Sequence, residues 1–191
     1  MQLVLASTSR YRRALLERLG LPFSVANPGI SEERRPGEPA ETMARRLAES
    51  KALAVANRFH DALIIGCDQT AVMDDEVLGK PGNLENAERQ LLALSGAEVT
   101  FHTALCVHNT ATGASRVRVV PCRVTFRELS QRTVERYLAR EQPYDCAGSA
   151  KSEGLGIALI EKIEGEDPNA LIGLPLIALV DLLREQGLDV L

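Results

Sequence analysis

The sequence has little lysine, no paired cysteines, no long apolar run and no excess of positive charge, and each shortage excludes something. Cys67, Cys106, Cys122 and Cys146 contain no C-x-x-C pair, which argues against a zinc ribbon or a disulfide scaffold. Four unpaired thiols predict a reduced, cytoplasmic protein. The apolar run Leu3-Val4-Leu5-Ala6 is far too short to span a bilayer, and the charges at Arg10, Arg12 and Arg13 follow it, so neither a membrane span nor a leader is expected. With 22 basic and 26 acidic residues the net charge is −4, which disfavours non-specific binding to nucleic acid or to an anionic membrane. Any polyanionic ligand must then be met by a local cluster of cations. Only Lys51, Lys80, Lys151 and Lys162 are lysine, so each of these positions is of interest. His60, His102 and His108 are scattered and lack nearby cysteine or carboxylate partners, which argues against a histidine metal centre.

What is present reads as one α/β domain with a mixed sheet. Leu3–Ala6 has the character of a buried strand, and Ser7-Thr8-Ser9 can cap a helix running from Arg10 to about Leu19. A short strand near Phe23–Ala26 leads into a Pro/Gly/Glu-rich loop from Asn27 to Pro39. Helical spacing of Met43, Ala44, Leu47, Ala48, Ala52 and Val55 predicts a helix from Ala40 to about Arg58, with Lys51 on its apolar face. Ala62–Cys67 reads as a strand buried on both faces and ending at Asp68. Asp74-Asp75 predicts a tight turn, Leu84–Leu94 a helix, and Val99–Val107 with Arg116–Phe126 a long hairpin turning at Asn109–Gly113. Ser130 should cap a helix to about Arg140. Ala147–Ala150 and Ile157–Ile163 are strand candidates, and Leu174–Gln186 is a closing helix. There is no repeat, low-complexity tract or linker.

Three constellations could carry chemistry. In Ala6-Ser7-Thr8-Ser9-Arg10-Tyr11-Arg12-Arg13, free N–H groups at a helix start, serine hydroxyls and guanidinium forks suit an anion such as phosphate. An ordinary serine-capped helix with a solvated basic turn is the alternative. Gly66-Cys67-Asp68-Gln69-Thr70 places a carboxylate at a buried strand, where it can orient water or hold a divalent cation, or simply cap its own turn. Lys51, Lys80 in Gly-Lys-Pro, and Lys151 in Gly148-Ser149-Ala150-Lys151-Ser152-Glu153-Gly154 could together neutralise a triphosphate, or could lie as separate surface ammoniums. Gly-Lys-Pro lacks the rest of a Walker A loop. Arg34-Arg35 and Arg45-Arg46 read as solvated pairs. Glu32-Glu33 reads as solvated loop charge unless it approaches Asp68.

Taken in order, these pieces resemble the Maf family of nucleoside triphosphate pyrophosphatases. The resemblance rests on Ala6-Ser7-x-Ser9-x-x-Arg12, Glu32, Leu47-Ala48-x-x-Lys51-Ala52, Gly66-x-Asp68, Gly79-Lys80-Pro81, Leu94-Ser95-Gly96, Ala147-Gly148, Glu164-Gly165 and Gly173-Leu174-Pro175. It implies a two-lobed, ITPase-like mixed α/β fold flanked by helices, with a nucleotide cleft between the lobes. It also implies a divalent cation (magnesium, manganese or cobalt) and hydrolysis of a nucleotide to its monophosphate and pyrophosphate. By the same resemblance, Asp68 is the general base and, with Glu32, holds the metal. Ser7, Arg12, Arg13, Lys51 and Lys80 fall on phosphate-contacting positions. The expected partner is a small nucleotide, with neither nucleic acid nor membrane, and a homodimer is a candidate assembly.

Three further positions are similar to the branch that acts on 7-methyl-GTP: Tyr11 between Arg10 and Arg12, Gln69 after Asp68, and Glu153 before Gly154. N7 methylation makes guanine cationic, so a tyrosine face can attract it and a carboxylate can accept from its N–H groups while balancing its charge. The resemblance therefore implies removal of modified nucleotides before they enter nucleic acid. A dTTP/UTP pyrophosphatase of the same family is one alternative. A nucleotide-binding regulator of cell division that does not hydrolyse is another.

Overall fold

A computed structural model describes residues 1–191. Seven strands form one mixed sheet: β1 (Gln2–Ala6), β2 (Ser24–Val25), β3 (Ala62–Met73), β4 (Glu76–Leu78), β5 (Glu98–Asn109), β6 (Ser115–Phe126) and β7 (Ile160–Gly165). The helices are α1 (Arg10–Glu17), α2 (Ala40–Ala56), α3 (Leu84–Ala93), α4 (Gln131–Glu141) and α5 (Leu176–Glu185). The spatial order is β2-β1-β3-β5-β6-β7, with β4 also on β3. β1 runs parallel to β2 and β3, whereas β4 and β7 pair antiparallel with β3 and β6. The chain forms two compact units. One holds Met1–Gln69, His102–Val120 and Asp167–Leu191; the other holds Thr70–Phe101 and Pro121–Glu166.

In the first unit, strand alternation sorts side chains onto two buried faces. Leu3, Leu5, Leu63, Ile65, Cys67, Leu105 and Val107 point one way, against Leu15 and Leu16 of α1 and Leu179, Leu182 and Leu183 of α5. Val4, Ala6, Ala62, Ile64, Ala104 and Cys106 point the other way, against Ala44, Ala48, Ala52 and Val55 of α2. Small residues dominate the α2 face because the helix lies close to the sheet. Its closest approach is at Gly66, where an added Cβ would sit 2.1 Å from the Ala48 carbonyl oxygen and 2.7 Å from the Ala52 nitrogen. Both are backbone atoms, which cannot move aside cheaply.

The loop before α2 is fastened by Glu38, which is not a solvated charge but a buried one. Arg46 donates to it twice, Nε to Oε1 at 2.6 Å and Nη2 to Oε2 at 2.7 Å. The Arg35 N–H also donates to Oε2 at 3.1 Å, and Arg46 reaches on to the Glu33 carbonyl at 3.0 Å. The expectation that Arg34-Arg35 and Arg45-Arg46 are solvated pairs is therefore corrected for Arg46, whose side chain is only 19% exposed. The forked guanidinium matches a carboxylate that its own loop has folded inward. This same hydrogen bonding holds the Glu38 carboxyl down at about 2.

In the second unit α3 packs on α4, and Asp74 and Asp75 turn β3 into β4 with positive φ values of 48° and 68°. Of two strand expectations here, Ala147–Ala150 fails and Ile157–Ile163 holds only from Ile160. Ala147–Ser149 is a 3-10 turn, because Gly148 and Ser149 hold φ values of 72° and 54°, which no extended strand permits. Leu155–Leu159 is likewise a 3-10 turn, and the strand begins only at Ile160. The predicted hairpin turn after β5 is present, with Asn109 Oδ1 accepting from the N–H groups of Ala111 and Thr112 at 3.0 and 3.3 Å.

Two outcomes follow from this packing. Gly66→Ala should lower stability by about 1–3 kcal/mol through overpacking against α2, read as a reduced urea midpoint. Glu38→Gln should also destabilise the protein at neutral pH. Because folding depresses this carboxyl from 4.5 to about 2, the Glu38 contribution is complete above 4.5 and fades as pH falls towards 2. Wild type and Glu38→Gln should therefore converge in stability across that acid window.

Candidate active site

The strand β3 does not stop at Asp68 but continues to Met73, and its neighbours explain why the carboxylate is nevertheless available. β1 pairs with β3 only as far as Gly66, so Asp68 lies just past the end of that ladder. Its side chain is buried, and so is that of Lys51 on α2. The close approach at Gly66 sets the helix at the depth where the lysine reaches the strand. Lys51 Nζ lies 2.7 Å from Asp68 Oδ1 and 2.7 Å from Glu32 Oε1. The Arg46–Glu38 staple fixes the loop that brings Glu32 in. A buried ammonium is costly unless compensated, and here two carboxylates share that task.

This arrangement joins three of the expected residues around one charge. Glu32 and Asp68 converge on a single cation, and both are hard oxygen donors suited to magnesium or manganese. No group of three or more histidine, cysteine or acidic side chains is gathered anywhere in the chain. A divalent ion held by this pair would have to take its remaining ligands from water or phosphate, since two carboxylates do not form an all-protein cage.

The segment after β1 supplies a second cluster. Ser7 is buried, with its Oγ accepting from the Ser9 N–H at 3.2 Å, and Ser9 caps α1 by accepting from the Arg12 N–H at 3.4 Å. Arg12 Nε donates to the Gly173 carbonyl at 2.9 Å, and Cys67 Sγ donates to the same oxygen at 2.9 Å. Burial pushes the Cys67 thiol up, so it remains a neutral donor. Gly173 holds φ at 122°, a backbone state that glycine alone adopts without strain.

Gln69 packs onto the same loop. Its Nε2 donates to Thr103 Oγ1 and to the Ala170 and Leu171 carbonyls, at 2.9, 2.9 and 3.0 Å. Asp167 fastens the loop at its other end, accepting from the Asn169 N–H at 2.8 Å and from Ile177 N–H in the first turn of α5 at 2.6 Å. Sequence reasoning missed this loop as the support for Arg12. Gly173-Leu174-Pro175 was its only local signal, and that motif does not disclose which side chain its carbonyl would receive.

The remaining expected residues are placed separately. Arg13 pairs with Glu17 on the exposed side of α1 at 3.0 Å. Tyr11 accepts from Arg10 Nη2 at 2.7 Å, and that guanidinium lies 4.8 Å from the ring centroid. Lys80 and Glu153 are both exposed and belong to the second unit. The Lys80 loop is tied to α3, with Gln90 Nε2 donating to the Gly79 carbonyl at 3.1 Å and Asn86 Nδ2 to the Pro81 carbonyl at 3.0 Å. Lys162, for which the sequence suggested nothing, pairs with Glu164 at 2.9 Å on the surface. No helix is long and apolar enough to cross a membrane.

The Maf-like protein family profile matches residues 2–186. A 7-methyl-GTP pyrophosphatase of Methylobacillus flagellatus is 58% identical over 189 residues, which cover 99% of this chain and 98% of that protein. The proteins of the same name from Nitrosospira multiformis and Pseudomonas syringae pv. syringae are 57% and 54% identical. They match 99% and 98% of this chain, and 96% and 98% of their own lengths. The matched span runs from the first residue of β1 to just past the end of α5 and so contains Glu32, Lys51 and Asp68. The protein belongs to the Maf family.

Proposed function

We propose that this chain hydrolyses 7-methyl-GTP, or a closely related modified nucleotide, to the monophosphate and pyrophosphate. The buried Lys51–Asp68 pair, with Glu32 joining it from the loop, carries this reading, in a chain whose full-length relatives bear the name of that activity. Such a reaction needs charge neutralisation and a positioned water more than it needs a covalent intermediate.

In this mechanism Asp68 accepts a proton from the attacking water. Its Oδ1 already bonds Lys51, and Oδ2 is the oxygen assigned to the proton. The water oxygen forms a bond to the α-phosphorus while the bond from that phosphorus to the bridging oxygen breaks, and its electron pair leaves with pyrophosphate. Glu32 and Asp68 would hold a divalent cation, which supplies further neutralisation of phosphate charge. Arg12 and Ser7 present donors at the start of α1, and Lys51 offers its ammonium to phosphate oxygens. Lys80 is assigned to the leaving group.

Base preference falls to Tyr11 and Glu153. Arg10 already lies 4.8 Å from the Tyr11 ring centroid, so a cationic methylguanine would have to displace this guanidinium or meet the opposite face of the ring. Glu153 would balance the positive base and accept its N–H groups. Gln69 acts less directly, through the loop that anchors Arg12. Four free cysteines, three of them buried, agree with a reducing cytoplasm as the place of action.

A panel of nucleotides assayed for pyrophosphate tests the substrate. Turnover of 7-methyl-GTP should exceed that of UTP and dTTP, and equal or greater turnover of UTP would overturn the methylguanine assignment. Release of orthophosphate instead would point to a phosphatase. Asp68→Asn should reduce turnover by about 10²–10⁴-fold while retaining much of the nucleotide affinity. Binding without pyrophosphate release by the wild-type protein would favour the regulator over the enzyme.

A further inference from the structure

The segment carrying Glu153 is short and fixed at both ends from α4. Tyr137 Oη accepts from the Lys151 N–H at 3.1 Å, and Glu141 Oε1 accepts from Lys151 Nζ at 2.7 Å. The other oxygen of Glu141 accepts from the Leu155 N–H at 2.7 Å. Only Ser152, Glu153 and Gly154 lie between these anchors, and the Gly154 N–H closes a turn onto the Lys151 carbonyl at 3.0 Å. A Cβ on Gly154 would lie 2.7 Å from Glu141 Oε2, so the chain passes directly over this carboxylate. At Gly156 a Cβ would meet the Lys151 backbone at 2.5 Å, which keeps the two ends of the turn together.

We propose that Glu141 is a positioning residue for base selection, holding the Lys151–Leu155 turn so that Glu153 is presented in one fixed place. This inference rests on the proposed role of Glu153. Glu141 itself is mostly buried, with its side chain 12% exposed, and its two oxygens are engaged on opposite ends of the turn. It therefore acts through Glu153 and does not contact the base. The hydrogen bond from Lys151 holds its carboxyl below the usual range, so its charge persists throughout the neutral region. A turn ordered before the ligand arrives does not have to be ordered by binding, and that saving is realised only for a base that Glu153 contacts.

The test compares kcat and KM for 7-methyl-GTP and GTP, by pyrophosphate release, in wild type, Glu141→Gln, Lys151→Met and Glu153→Gln. Melting temperatures are recorded alongside. Glu141→Gln should raise KM for 7-methyl-GTP by about tenfold, the scale of one charge-assisted hydrogen bond, with little change in kcat or in KM for GTP. Lys151→Met, which leaves Glu141 and the Leu155 bond in place, should shift the preference in the same direction by less. Parallel losses for both substrates would show a purely structural role and overturn the inference. If Glu153→Gln abolishes the preference while both neighbouring variants keep it, the positioning role fails and the role of Glu153 survives. If Glu153→Gln leaves the preference intact, the parent reading fails and the inference with it.

Discussion

The structure of the first unit turns on one buried ammonium. Lys51 sits on a helix face that is otherwise alanine, leucine and valine, and withdrawing its charge from water would be prohibitive without Asp68 and Glu32. Removing Asp68 would cost on the order of 3–5 kcal/mol, because Lys51 would remain desolvated, whereas the loss of the half-exposed Glu32 would cost less. The helix, the strand and the preceding loop are consequently bound into one electrostatic unit. One positive charge against two negative ones leaves a formal surplus of negative charge, which a further cation can satisfy. The stability of this unit and the chemistry proposed for it thus draw on the same three side chains.

That arrangement depends on features outside the three charged side chains themselves. Gly66 lets α2 approach the sheet closely enough for Lys51 to reach Asp68. Arg46 and Glu38 hold the loop without touching the reacting groups. Gly173 offers one carbonyl to both Arg12 and Cys67, which joins the start of α1 to β3 and to the approach to α5. The second unit works differently. Its Lys151–Leu155 turn is held by one helix, through Tyr137 and Glu141, and leaves Glu153 exposed.

Most elements of the fold were legible because their periodicity is strong. Leu3–Ala6 and Ala62–Cys67 are continuous apolar strands, and Ala44, Ala48, Ala52 and Val55 mark one helical face. Lys51 stood out because an ammonium breaks that face, and Asp68 because it follows a wholly apolar run. The staple at Arg46 was hidden, since its partner lies across an irregular loop where no period applies. Arg12 and Gly173 are 161 residues apart, and a backbone carbonyl leaves no trace in composition. The 3-10 turns at Ala147–Ser149 and Leu155–Leu159 are hidden because apolar residues such as Ala147 and Ile157 look alike in turn or strand, and only in the first does positive φ, at Gly148 and Ser149, exclude an extended chain.

The position of Cys67, next to Asp68, has a consequence for chemical durability. Oxidants and alkylating agents attack the thiolate, and this sulfur is fully enclosed, with its proton committed to the Gly173 oxygen. Cys106 is buried too, and its thiol is pushed up to about 12. Three of the four thiols are thus packed into the interior and Cys146 alone is partly exposed, so the strand that carries Asp68 presents no reactive sulfur beside that carboxylate.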